Sequence, residues 1–316
     1  MVRRRTPRWL LAVLIGTILS IFISAPVETT ATAASPSYTI KEPGLFIYVP
    51  SNAEQYQPVQ VLVAMHGMGG DGAKFCQDLL ATAERNGWIV VAPTFKYQDY
   101  KNPDLVLQDD TTFLPRLKTM IDSVPGRTGV RTRDRVLLYG HSRGGQAVHR
   151  FATYYPERTA GVVALSAGSY TLPLATVLVN GRSQPLPMPY GVADMRRYLG
   201  HDFNREAFKR IPFRIVIGAR DTNAGETPRA WDPYLGANRV DRARAYTRAL
   251  QDMGVPAALA VYPDAGHNIT PQMHQDALVF LQETSIKQGP LPYGSGLSRG
   301  GLATEAVVKG ASRSRR

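Results

Sequence analysis

Cysteine is almost missing from this chain: Cys76 is the only one in 316 residues. A single thiol excludes an intrachain disulfide. It also excludes the zinc and iron–sulfur sites that need several thiolates. No internal repeat recurs along the sequence. There is no zinc-finger spacing and no RNA-binding signature, so nucleic acid is not expected as a partner. Neither disorder nor a collagen-like fold suits a composition that is 44% hydrophobic and 20% charged. The length suits one large domain or two small ones.

What is present begins with an address. Residues 1–33 hold Arg3, Arg4, Arg5 and Arg8, then an uncharged run from Trp9 to Val27, then the small residues Ala31-Thr32-Ala33. Basic, apolar, then small residues are the pattern of a secretory signal peptide. The expectation is export and a secreted or cell-envelope location, with cleavage after Ala33. The most apolar stretch, Leu10–Ile23, is shorter than the ~20 residues of a spanning helix. The whole uncharged run would reach that length, so an uncleaved membrane anchor is the alternative. The full chain carries a formal charge of +12. Removing four Arg and one Glu with the leader leaves 33 Lys and Arg against 24 Asp and Glu, or +9. Solubility accounts for such a charge; weak association with an anionic cell surface is the other reading.

Past residue 34 the chain alternates. Apolar runs of strand length occur at Leu45–Val49, Val59–Met65, Trp88–Ala92, Arg135–Gly140, Gly161–Ser166, Phe213–Gly218 and Ala257–Tyr262. Most are nearly continuous, as in strands buried on both faces of a parallel sheet. Helical patterns lie between them. Arg239–Met253 repeats Val240, Ala243, Tyr246, Leu250 and Met253 at spacings of three and four, with Gly254 as a stop. Pro271–Ser285 follows a capping Thr270, with Met273, Ala277, Phe280 and Leu281 as its inward stripe. The fold class is therefore α/β, with helices on both faces of a mostly parallel sheet. Residues 34–288 form the folded unit. Residues 167–211, with Pro173, Pro185, Pro187 and Pro189, exceed an ordinary loop and are expected as a short insertion over the active face. The tail 289–316 is rich in Gly, Ser and Arg and is expected to be flexible.

The sharpest chemical motif is Gly140-His141-Ser142-Arg143-Gly144-Gly145. It follows the strand RVLLYG and precedes the helical stretch QAVHRFATYY, the setting of a nucleophile elbow. Ser142 must then occupy a strained turn that lifts its Oγ out of the sheet. Side chains at positions 140 and 144 would collide with neighbouring backbone. Such a serine needs a base and an orienting acid. His267, in PDAGHN between the last strand and the last helix, can reach back over the carboxyl edge of the sheet. His274 lies within that helix, where capping or exposure is expected. His149 is placed for packing, His141 is the variable position of the motif, and His201 lies in the insertion. Asp221 follows FRIVIGAR at a strand end and gives the order Ser…Asp…His. Asp264 competes through its closeness to His267 in sequence.

Oxyanion donors are expected from two backbone N–H groups. One is that of Arg143, at the start of the helix after the elbow. The second is that of Met68 in His66-Gly67-Met68-Gly69-Gly70, whose glycines permit close backbone approach. His66 is expected to hold that loop by hydrogen bonds. A phosphate-binding role for these glycines is not supported, because no G-x-G-x-x-G or Walker pattern follows.

HGMGG, GHSRGG, GARD and AGHN, in this order, resemble the α/β-hydrolase superfamily over about residues 40–285. Within it, HGxGG, the doubled glycine after the elbow and YPER at 155–158 resemble exported esterases grouped with polyhydroxybutyrate depolymerases and feruloyl esterases. The resemblance implies an α/β-hydrolase fold and a serine hydrolase cleaving small or oligomeric carboxylic esters, with no metal or organic cofactor. A serine peptidase of the same fold is the nearest alternative. A non-catalytic binding protein on the same scaffold is the other. Neither the acyl group nor the oligomeric state is legible.

Overall fold

Strand side chains point alternately to the two faces of a sheet, and here both faces are apolar. In the strand at Val61–Met65, Val61, Val63 and Met65 enter one core, and Leu62 and Ala64 enter the other. The strands at 89–93 and 136–141 divide in the same way. Such a sheet has to be covered on both sides, and the helices supply the cover. The computed structural model describes residues 36–179 and 181–288. The expected leader 1–33 and tail 289–316 lie outside the described residues.

The chain opens with β1 (Tyr38–Glu42), β2 (Leu45–Val49) and β3 (Val61–Met65), then α1 (Gly72–Phe75), α2 (Gln77–Asn86) and β4 (Ile89–Pro93). The long α3 (Pro103–Thr128), β5 (Val136–His141), α4 (Arg143–Tyr154) and β6 (Thr159–Leu165) follow. Between β6 and β9 (Phe213–Gly218) lie β7 (Thr176–Val179), β8 (Arg182–Pro185), α5 (Met195–Leu199) and α6 (Arg205–Phe208). The chain continues with α7 (Asp232–Leu235), α8 (Arg239–Asp252), β10 (Ala257–Tyr262) and α9 (Pro271–Lys287).

Eight strands form the main sheet in the order β1-β2-β4-β3-β5-β6-β9-β10. Pairing is parallel from β4 to β10, and β2 is antiparallel to both β1 and β4. This is an α/β-hydrolase fold with a mostly parallel sheet. The chain runs from β3 outward to β4, then crosses back to β5 on the other side of β3. Open α/β sheets bind ligands in the crevice at such a reversal, outside the carboxyl ends of the strands. The loops after β3 and β5 carry HGMGG and GHSRGG.

Caps fix the helices that bracket the crevice. The Asn238 side chain accepts from the Asp241 N–H at the start of α8, and the Thr270 hydroxyl accepts from the Met273 N–H at the start of α9. Gly254, at φ 84°, follows α8 in the left-handed region that glycine adopts without strain. In α9, Leu278 is buried where the sequence pattern suggested Phe280, which is only partly buried.

Helix α4 is buried along its whole length. Its outer side is covered by α3 and by residues after β6. Arg150 donates through Nε to Thr171 Oγ1 at 2.9 Å and through Nη2 to Ser169 Oγ at 2.8 Å. Tyr170, Leu172, Leu186, Met188, Met195 and Phe208 from segment 167–211 join this core. Met195 and Phe208 thus pack inward.

Candidate active site

Ser142 sits on the turn between β5 and α4 with φ 56° and ψ −117°. A non-glycine residue in such a conformation stores about 1–3 kcal/mol of strain. Hydrogen bonds on both sides hold it there: the Ser142 N–H donates to Leu165 O at 2.8 Å, and its C=O accepts from Gln146 N–H at 3.0 Å. The glycines are sterically required. A Cβ on Gly140 would lie 2.3 Å from Gly144 O, and one on Gly144 would lie 1.9 Å from Met65 O.

The loop before α9 brings His267 to this serine. His267 Nε2 lies 3.0 Å from Ser142 Oγ, and its Nδ1 lies 2.8 Å from Asp221 Oδ2. Asp221 accepts at Oδ2, so Nδ1 carries the proton and Nε2 is left to accept from the serine hydroxyl. Asp221 is nearly fully buried at the end of β9, and the His267 ring is partly open to the cleft. Asp264, the competing acid, is 88% exposed and pairs with Arg220 at 2.6 Å.

Four of the other histidines hold structure, and His201 in segment 167–211 lies against the carbonyl of its neighbour Asp202 at 3.2 Å. His66 Nε2 accepts from the Phe95 N–H at 3.0 Å while Nδ1–H donates to Gly67 O at 2.6 Å, which braces the loop after β3. His149 accepts at Nε2 from the Thr171 N–H at 3.0 Å. His274 does not simply face solvent: its Nδ1 lies 3.0 Å from the Tyr139 hydroxyl. His141 Nε2–H donates to the carbonyl of His267 at 2.7 Å, tying the elbow to the histidine loop. Burial pushes His141 down to about 4 and lowers His66 and His149 as well, so all three stay neutral near pH 7.

A cleft of about 180 Å³ opens above Ser142, lined by Met68, Tyr100, Arg143, Gln146, Glu226, Arg239 and His267. The Met68 loop reaches it beside the serine: a Cβ on Gly67 would lie 3.5 Å from Ser142 Cβ. The lining comes from outside segment 167–211.

Sequence reading missed the charged residues around this cleft. Arg143 was singled out for its backbone, yet its side chain is fully buried. It pairs with Asp110 at 2.7 Å and lies over the Tyr97 ring at 4.5 Å. Arg150 reaches the other oxygen of Asp110 at 3.0 Å. Arg239, at the first position of α8, donates to Asp221 Oδ1 at 2.9 Å and to Glu226 Oε2 at 3.3 Å. A signal for Arg239 did exist. A cation in the first turn of a helix meets the positive end of the dipole, so an acidic partner was to be sought.

A model of the alpha/beta hydrolase family matches residues 61–280. Among curated proteins, none matches the sequence. Several solved structures share the fold. Poly(aspartic acid) hydrolase-1 from Sphingomonas sp. KT-1 is 20% identical with a TM-score of 0.56, over 80% of this chain and 98% of that one. The poly(3-hydroxybutyrate) depolymerase LpqC from Bordetella parapertussis is 23% identical with a TM-score of 0.55, over 84% of this chain and 94% of that one. TT1662 from Thermus thermophilus is 20% identical with a TM-score of 0.52, over 78% and 98%. At such identities the likeness concerns the fold. The family model, by contrast, spans well over half of the sequence and takes in the elbow after β5 and the histidine loop before α9: the chain belongs to the alpha/beta hydrolase family.

Proposed function

We propose that the protein is a serine hydrolase that cleaves carboxylic esters through an acyl-enzyme. The observation that carries this reading is the chain of contacts from Ser142 Oγ through His267 to Asp221, at 3.0 and 2.8 Å. His267 Nε2 takes the Ser142 proton as Oγ attacks the ester carbonyl. Asp221 orients the ring and stabilises the imidazolium that forms. The proton passes to the leaving alcohol, and a water activated by the same nitrogen then releases the acid.

The tetrahedral oxyanion forms in front of the Met68 and Arg143 N–H groups. Both residues line the cleft, and neither N–H donates to a backbone or side-chain acceptor among the described residues. Removing a donor of this kind costs about 3 kcal/mol of transition-state stabilisation. Export follows from the leader at residues 1–33, and secreted material would begin at Ala34.

The test pairs a fluorophosphonate probe with a substrate screen. Parent protein should be labelled at Ser142 and should hydrolyse aryl esters in preference to peptide amides. Preference for amides would assign a peptidase, and absence of labelling would assign a binding protein.

A further inference from the structure

Asp221 is a buried carboxylate with two hydrogen-bonding oxygens and two partners. Oδ2 meets His267 Nδ1 at 2.8 Å, and Oδ1 meets Arg239 Nη1 at 2.9 Å. Both Asp221 and Arg239 are more than nine-tenths buried. The guanidinium is itself fixed: Nη2 donates to Glu226 O at 2.9 Å, and Nη1 also reaches Glu226 Oε2 at 3.3 Å. Glu226 is 52% exposed and stands at the cleft, as does Arg239. The dipole of α8 disfavours a cation at position 239. Helix stability therefore gives no reason for an arginine there, and the acids it touches do.

We propose that Arg239 is a positioning residue for the reaction: it locks the Asp221 carboxylate in the rotation that His267 needs, and together with Glu226 it sets how readily His267 takes and gives up the serine proton. The inference rests on the Ser142–His267–Asp221 reading above.

Two effects follow from one side chain. The first is geometric. Without Arg239, Oδ1 of Asp221 loses its only donor among the described residues, and the carboxylate is free to turn away from Nδ1. The second is electrostatic. The positive guanidinium opposes the arrival of a second positive charge on His267, and Glu226 partly offsets it. Arg242, one turn along α8, stands near Arg239 and is paired with Asp232 at 2.7 Å; the other groups facing the pair are His141 from β5 and Tyr170 from the segment after β6. Burial keeps both neutral near pH 7. On the histidine's own loop, Asp264 is engaged with Arg220 in solvent.

The experiment is the pH profile of kcat/KM on a soluble aryl ester for Arg239→Gln, Arg239→Lys and Glu226→Gln, with Ser142→Ala in parallel. Arg239→Gln removes a positive charge, so its acid limb should move up by roughly one pH unit, with a fall in kcat. Glu226→Gln removes a negative charge half in water, so its limb should move down by a smaller amount. Arg239→Lys keeps the charge and loses the fork. It should hold the parent's limb and recover part of the kcat lost in Arg239→Gln. A purely structural role would lower kcat in all three without moving the limbs. An Arg239→Gln limb that stays put, or Arg239→Gln and Glu226→Gln limbs that move in the same direction, overturn the inference. Should Arg239→Gln fail to fold, an unmoved limb in Glu226→Gln overturns it alone. Full hydrolysis by Ser142→Ala would instead bring down the triad reading itself, and this inference with it.

Discussion

Asp264 closes an ion pair with Arg220 at 2.6 Å, out in solvent, only three residues before a histidine that turns its ring the other way, towards Asp221. Nearness in sequence therefore does not select the acid. Ser142→Ala and His267→Ala should each lower kcat by several orders of magnitude. The double variant should be little worse, because the groups act as one unit. Asp221→Asn should be severe, since an amide cannot hold the ring in the same tautomer. Asp264→Asn should be nearly silent. Steady-state kinetics on one aryl ester decides the matter, and the reverse order of the two aspartates would move the acid to Asp264.

Legibility in the sequence followed local signal. The strands at Leu45–Val49, Phe213–Gly218 and Ala257–Tyr262 fall where their apolar runs place them. β1 was not read, because Ile40 is its only partly buried residue and the rest is exposed. β8 was not read because every residue of it is exposed. Helix α3 runs for 26 residues through Pro115 and Pro125, which break any helical reading. Its cap, Asn102 accepting from Asp104 and Leu105 before Pro103, was the usable signal. Ser142 announced itself because backbone strain demands glycines at fixed offsets. Glu226 and Tyr100 carry no such local pattern, Arg239 carries only that of a cation at a helix start, and only the folded chain gathers the three around the serine.

Beneath the elbow lies a buried cluster in which Asp110 serves two cations, Arg143 at 2.7 Å and Arg150 at 3.0 Å. Losing one partner of a buried pair strands the remaining charges and costs about 3–5 kcal/mol. Asp110→Ala should show a loss of that size in urea unfolding. Asp109→Ala should lose less, since Asp109 stands 3.7 Å from Arg143 and spends its oxygens on Gln98. An Asp110→Ala loss of under about 1 kcal/mol, as for an exposed pair, would show that the cluster is not desolvated as described.

His141 couples stability to pH. Burial lowers it from 6.5 to about 4 in the folded chain. Above the unfolded value both states are neutral, and its contribution to stability is complete. As pH falls below 6.5, the unfolded chain takes up a proton that the folded chain refuses. The contribution is lost progressively and is gone near pH 4. At 1.36 kcal/mol per unit the loss amounts to about 3 kcal/mol. Urea unfolding in a Ser142→Ala background should show stability falling between about pH 7 and pH 4.5. The fall should be smaller in His141→Gln, which keeps a donor for the His267 carbonyl. An equal fall in both would remove His141 as a cause, leaving His149 and His66.

Substrate size follows from the cleft and from what segment 167–211 does. A lipase acting on droplets needs an apolar lid, commonly an amphipathic helix, that opens at the interface. Here α5 and α6 span five and four residues, and their apolar side chains Met195 and Phe208 are locked into the core. The exposed side of α5 carries Arg196, paired with Asp202 in water. Above Ser142 the cleft holds about 180 Å³, and its lining by Met68, Tyr100, Arg143, Gln146, Glu226, Arg239 and His267 is polar and apolar in similar measure. Each acyl methylene would stabilise binding by about 0.8 kcal/mol only where it is buried against apolar surface. Met68 and Tyr100 offer such surface, but a cleft of about 180 Å³ has room for only a short chain. Short acyl or aromatic soluble esters should therefore be preferred, with no rise in rate when the substrate forms droplets. The measurement is a rate series from acetyl to palmitoyl esters, carried across each solubility limit. A maximum at long chains with a sharp rise above that limit would mean that the surface of segment 167–211 opens in a way its packing does not suggest.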